Sequence, residues 1–116
     1  MKLSAFSCIM GVVVCGSAAA ACENPTMVTI PDGQTATMDQ LLDAQGQVKT
    51  YMAAMEEYLA CLSQELEAAG DDAPAEFKSL MVTRHNTAVS EMETVAADFN
   101  TQVQAYKAAN PQPAAN

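Results

Sequence analysis

The sequence predicts an all-α fold, an antiparallel two-helix hairpin with an extended N-terminal arm folded back along it, able to dimerise into a four-helix bundle. Along residues 37–69 and 74–109, apolar residues recur at alternating steps of three and four, as on one face of a helix. Gly70 falls in the short link between these segments, and short links join antiparallel helices. Pro25 and Pro31 oppose helix before the first segment.

Residues 1–21 have the pattern of a secretory signal peptide. Lys2 is followed by an apolar stretch and then by small residues up to Ala21, after which cleavage is expected. The alternative is a membrane span, which needs about 20 predominantly apolar residues, and serines and glycines interrupt this shorter run. We therefore expect a bacterial protein that is periplasmic or secreted.

Cys22 follows three alanines, which resembles the small-residue box before the lipidated cysteine of bacterial lipoproteins. The box lacks its usual bulky apolar residue three positions before the cysteine. A lipid anchor at Cys22 is the alternative to a free chain, and it would tie the protein to a membrane without spanning it.

Cys22 and Cys61 are the two cysteines left after the signal peptide, and in an exported chain they predict one disulfide. Cys61 lies about 35 Å along the first helix from Met38, and the extended arm can span about 50 Å. Closing this loop is worth about 4 kcal/mol. The alternatives are a separate buried thiol at Cys61 or a bridge between two chains.

The arm, residues 22–36, is predicted to be extended and to turn at Pro31-Asp32-Gly33. Its apolar residues are expected to cover part of the second apolar stripe of the helices. The arm residues are Met27, Val28 and Ile30, and the first-helix residues of that stripe are Leu42, Tyr51 and Tyr58.

The first helix is predicted to begin at a capping box formed by Thr37 and Gln40 and to stop at Gly70. Its heptad seam is apolar except at Gln45. The seam residues are Met38, Leu41, Gln45, Val48, Met52, Met55, Leu59, Leu62, Leu66 and Ala69.

The second helix is predicted to open at Pro74 and to end before a disordered tail, residues 110–116. Its apolar face is wider than a seam, because Val82, Val89 and Val103 flank it. We expect these valines to bind another helical envelope protein or a second copy of the chain. Gln102 would lie near Gln45, either as a polar layer or at a frayed end.

Fourteen acidic and four basic residues follow the signal peptide, so the formal charge of that part is −10. Such a charge repels nucleic acid and anionic membrane surfaces. The acidic residues match no calcium loop and are expected to form a solvated surface. The charge also allows a role as an acidic inhibitor or decoy of a basic envelope enzyme.

Met81, His85 and Met92 combine soft thioether and imidazole ligands on the second helix, which would suit Cu(I). Methionines at helical spacing are more often core residues. His85 is the only histidine, and no arrangement of nucleophile and base is visible. The sequence therefore predicts a non-enzyme without a cofactor, with soft-metal handling as an alternative.

Four short motifs resemble uncharacterised small exported proteins of proteobacteria. They are Cys-Glu-Asn-Pro at 22–25, Val-Thr-Ile-Pro-Asp-Gly at 28–33, Val-Lys-x-Tyr at 48–51 and Tyr-Leu-Ala-Cys-Leu at 58–62. The resemblance implies no activity. Together these observations favour a non-catalytic interaction or structural protein of the periplasm or cell envelope.

Overall fold

The computed structural model describes residues 22–112 of the chain. Helix α1, Met38–Ala69, and helix α2, Ala75–Ala109, form an all-α antiparallel hairpin. Residues 22–36 form an arm without regular secondary structure apart from a turn. The predicted signal peptide lies outside the described residues, as does most of the predicted tail. Neither helix is long and apolar enough to cross a membrane.

Both ends of α1 are capped by the predicted residues. The Thr37 hydroxyl accepts from the Gln40 backbone N–H at 3.2 Å, and Gln40 Oε1 accepts from the Thr37 N–H at 2.9 Å. Gly70 ends the helix with φ 73°, a left-handed value that glycine adopts without penalty, and its N–H donates to the Glu67 carbonyl. The capping box and the glycine stop are thus confirmed.

Pro74 differs slightly from its predicted place as the first helical residue. Its ψ of 140° is not helical, and its carbonyl accepts the first bond of α2, from the Lys78 N–H at 3.1 Å. Pro74 is therefore the N-cap, and α2 begins one residue later at Ala75.

The core lies between the helices but is rotated from the predicted seam toward the arm. Ala44, Tyr51 and Tyr58 are buried, whereas the seam residues Met52 and Leu59 are only half-buried. The arm causes this rotation, because it covers one flank of α1 and buries the side chains there. The buried cluster consists of Tyr51, Met55, Tyr58, Leu62, Met81, Ala88 and Val95.

The arm lies back along the hairpin, as predicted. Val28 and Ile30 pack against the core cluster, whereas Met27 remains 52% exposed. The Cys22–Cys61 disulfide joins the start of the arm to α1 within one chain, with 5.8 Å between the Cα atoms. Burial of Tyr51 and Tyr58 under this arm explains how a hairpin of two helices acquires a core.

Candidate functional site

The arm covers only one side of the groove between the helices. Asn24 Nδ2 donates to Glu91 Oε2 at 3.4 Å, and the Gly33 N–H donates to Gln102 Oε1 at 2.8 Å. Both acceptors are on α2, eleven residues apart, which places them on the same flank of that helix. The opposite side of the groove is lined by α1 and α2, and we call it the arm-free groove.

Two clefts mark the ends of the arm-free groove, and neither is lined by a residue of the arm. The open-end cleft has a volume of about 650 Å³. Its apolar lining includes Met38, Leu42, Phe99 and Val103. The side chains of Met38 and Leu42 are 49% and 56% exposed, so this end of the groove leaves large apolar groups in contact with water.

The closed-end cleft lies near the link between the helices. Leu62, Leu66, Met81, Val82 and His85 line it. It continues toward the link past Lys78, Glu67 and Asp71, where the Lys78 ammonium donates to the Asp71 carbonyl at 2.7 Å.

The three predicted interaction valines form one stripe along the arm-free groove. Val82 lines the closed-end cleft and Val103 lines the open-end cleft. Val89 lies seven residues after Val82, two turns further along the same face of α2. Val82 is 53% exposed, and Val89 and Val103 are half-buried. The structure therefore brings the three predicted residues to one accessible surface.

Charge is distributed unevenly around the hairpin. The four charged residues that line the two clefts and their extension toward the link are Glu67, Asp71, Lys78 and Lys107. They include two of the four basic residues of the described chain but only two of its fourteen acidic residues. The linings of the clefts are thus formally neutral together, whereas the described residues carry a charge of −10 in total, so like-charge repulsion between two copies is low at the clefts.

The three candidate copper ligands do not converge on one position. Met81 is buried and His85 is exposed, and both line the closed-end cleft. Met92 is half-buried and lies eleven residues after Met81 on the same helix, about 16 Å along its axis. This separation is greater than two methionine side chains can close around a single ion, so Met81 and Met92 cannot bind the same one.

The disulfide has a carboxylate beside it that the sequence analysis did not single out. Glu65 lies one turn after Cys61 on α1, and a carboxylate oxygen of Glu65 and the sulfurs of Cys22 and Cys61 all lie within 4.8 Å of one another. The sulfur of Cys22 is bonded to Cys61. In this state that sulfur is not free to form the thioether that a lipid anchor would need.

Tyr51 has a buried hydroxyl that lacks a hydrogen-bond partner among the described residues. Its side chain is 3% exposed. Burial raises the pKa of Tyr51 above its usual range, and the nearby negative charge of Glu91 raises it further. Tyr51 is therefore held in its neutral, protonated form.

Gln102 does not form a polar layer with Gln45, which was one of the two predicted alternatives. Gln45 lines the open-end cleft, whereas Gln102 binds the arm on the other side of the groove. The contacts of Gln102, Glu91 and Glu65 all join segments far apart in sequence. The turn signal at Pro31-Asp32-Gly33 indicated that the chain reverses there, but no local pattern indicated which helical residue would meet it.

No protein-family model, curated protein or solved structure matches this chain.

Proposed function

We propose that the protein is a non-catalytic interaction module of the bacterial cell envelope, and that its arm-free groove pairs with the same groove of a second copy. The proposal rests mainly on the combination of exposed apolar side chains in this groove and balanced charge in the clefts at its two ends. The predicted signal peptide and the disulfide support an oxidising compartment outside the cytoplasm.

The length of the groove supports a second copy as the occupant. Helix α1 has 32 residues and is about 48 Å long. A face of that length across two packed helices offers roughly 900 Å² per copy, comparable with the roughly 800 Å² that each partner buries in a standard stable interface. A four-helix bundle would cover Met38, Leu42 and Val82 together.

Charge favours one arrangement of the two copies. Lys107 is the only charged residue lining the open-end cleft, whereas the closed end carries Glu67, Asp71 and Lys78, a net charge of −1. If the open end of one copy meets the closed end of the other, Lys107 approaches Glu67 and Asp71 of the second copy. The two-fold symmetry of such a dimer makes this contact twice.

The experiment is sedimentation velocity of the chain beginning at Cys22, over a range of concentrations, beside a variant with Val89→Lys and Val103→Lys. We expect a dimer that the two lysines convert to monomer, because they place uncompensated charge in the apolar groove. A control with Thr94→Lys and Thr101→Lys adds the same charge at exposed positions away from the groove and should remain dimeric. A wild-type chain that is monomeric throughout would refute the proposal.

A further inference from the structure

The residues around the disulfide are placed to bind a metal ion when the disulfide is reduced. Within the described residues, Cys22, Cys61 and Glu65 are the one group of three potential metal ligands found close together. We propose that reduction of the disulfide converts these residues into a binding site for a thiophilic divalent cation such as Zn²⁺. In this state the cation, rather than the S–S bond, would hold the arm to α1.

The ligand set fits such a cation. Zinc binds thiolate sulfur at about 2.3 Å and carboxylate oxygen at about 2.0 to 2.2 Å in tetrahedral geometry, so bound thiolates lie about 3.8 Å apart. The three ligand atoms already lie within 4.8 Å of one another, and a small separation of the two sulfurs would open the space for the ion. Water would supply the fourth ligand.

The arm keeps Cys22 in place when the S–S bond is broken. Asn24, two residues after Cys22, donates to Glu91, and the far end of the arm is held by the Gly33 contact with Gln102. Val28 and Ile30 pack on the core between these two points. The reduced thiol of Cys22 therefore stays close to Cys61 and Glu65 rather than moving away with a free chain end.

Formation of the site needs two reactants, a dithiol reductant and Zn²⁺. A dithiol reductant gives two electrons and two protons to the disulfide, which yields the thiols of Cys22 and Cys61 and leaves the reductant oxidised to its own disulfide. Binding of Zn²⁺ then releases the two thiol protons, because the ligands are thiolates. The strong negative charge of the chain favours a cation over an anion at this position.

The test measures Zn²⁺ binding to the reduced and the oxidised chain by competition with a chromophoric chelator under anaerobic conditions. We expect one Zn²⁺ per reduced chain with submicromolar affinity and no comparable binding to the oxidised chain. Replacement of Zn²⁺ by Co²⁺ should give thiolate-to-cobalt charge-transfer absorption, and bound Zn²⁺ should slow alkylation of both thiols.

The variants assign the ligands. Cys61→Ser should abolish the binding, and Glu65→Gln should weaken it at least tenfold, whereas Glu67→Gln on the same helix should leave it unchanged. Equal affinity of the wild-type and Glu65→Gln chains would overturn the assignment of Glu65. Half an ion per chain, or equal binding by the oxidised chain, would overturn the site as a whole. None of these outcomes depends on whether the chain dimerises through the arm-free groove.

Discussion

The backbone N–H of Gly33 donates to the side-chain oxygen of Gln102 at 2.8 Å, and this bond ties the turn of the arm to α2. Gly33 is buried, and the approach is close enough that a Cβ on it would lie 1.9 Å from the Gln102 carbonyl oxygen and 2.9 Å from the Tyr106 nitrogen. Its φ is not in the left-handed region. Glycine is therefore needed here for space rather than for backbone conformation.

Gly33→Ala should lower the free energy of unfolding by about 2 kcal/mol, because an added methyl group must push the turn away from α2. Gly46→Ala is the matched control, since a Cβ there meets nothing within 4 Å and the residue lies inside α1. That change should raise the free energy of unfolding by about 0.5 to 1 kcal/mol. Urea denaturation measures the free energy of unfolding of both variants. Equal changes in the two would contradict the close approach of Gly33 to the backbone of α2.

Gln102→Ala should lower the free energy of unfolding by about 1 to 3 kcal/mol, because the buried N–H of Gly33 then lacks an acceptor. Gln104→Ala removes the same side chain two residues away at an exposed position and should have little effect. Amide hydrogen exchange gives a local measurement: exchange at Gly33 should accelerate in the first variant only. An unchanged rate at Gly33 would show that Gln102 does not hold the arm.

Tyr51→Phe should leave stability at neutral pH equal or higher, because it removes a buried hydroxyl that has no partner. The raised pKa of Tyr51 sets the pH dependence. Below about pH 10, the pKa of tyrosine in the unfolded chain, the Tyr51 hydroxyl is protonated in both states and its contribution to stability is fully present. That contribution is lost as the pH rises from about 10 through the higher pKa of Tyr51 in the folded chain. Denaturation midpoints from pH 8 to 11 should therefore fall more steeply for wild type than for Tyr51→Phe. Parallel curves would contradict the assignment.

Replacement of Cys22 and Cys61 by serine should lower the free energy of unfolding by about 4 kcal/mol, given the 39-residue separation that the disulfide closes. Chemical denaturation of the variant and of the oxidised wild type measures the difference. A loss below about 1 kcal/mol would mean that the arm is held mainly by its packing and by the Gly33 contact.

The arrangement of the two copies can be tested by charge reversal. Lys107→Glu and Glu67→Lys should each weaken dimerisation severalfold, because each places like charges together across the interface. The two changes in one chain should restore it, since the residues lie at opposite ends of the hairpin and meet only between copies. Dimer dissociation constants from sedimentation equilibrium measure this. If the double variant dimerises as weakly as the single variants, the two copies instead pair with open end against open end and closed end against closed end.

The sequence predicted most of the fold because the deciding signals are local. The capping box at Thr37 and the glycine at 70 set the bounds of α1, and two cysteines within reach of each other predicted the disulfide. The heptad seam predicted the buried face of α1 less accurately, because it considers only the contact between the two helices. The arm also covers one flank of α1 and buries Tyr51 and Tyr58. The spacing of Glu65, one turn after Cys61, does place it beside the disulfide, and the contacts of the arm with Glu91 and Gln102 are what no spacing encodes.

The face through which two copies meet can be observed directly by isotope-filtered NMR on a mixture of ¹³C-labelled and unlabelled chains. The dimer proposed here predicts intermolecular nuclear Overhauser effects from the methyl groups of Val82, Val89 and Val103, and none from the arm residues Val28 and Ile30. Intermolecular contacts at the arm residues, or none at the three valines in a chain that sediments as a dimer, would contradict pairing through the arm-free groove.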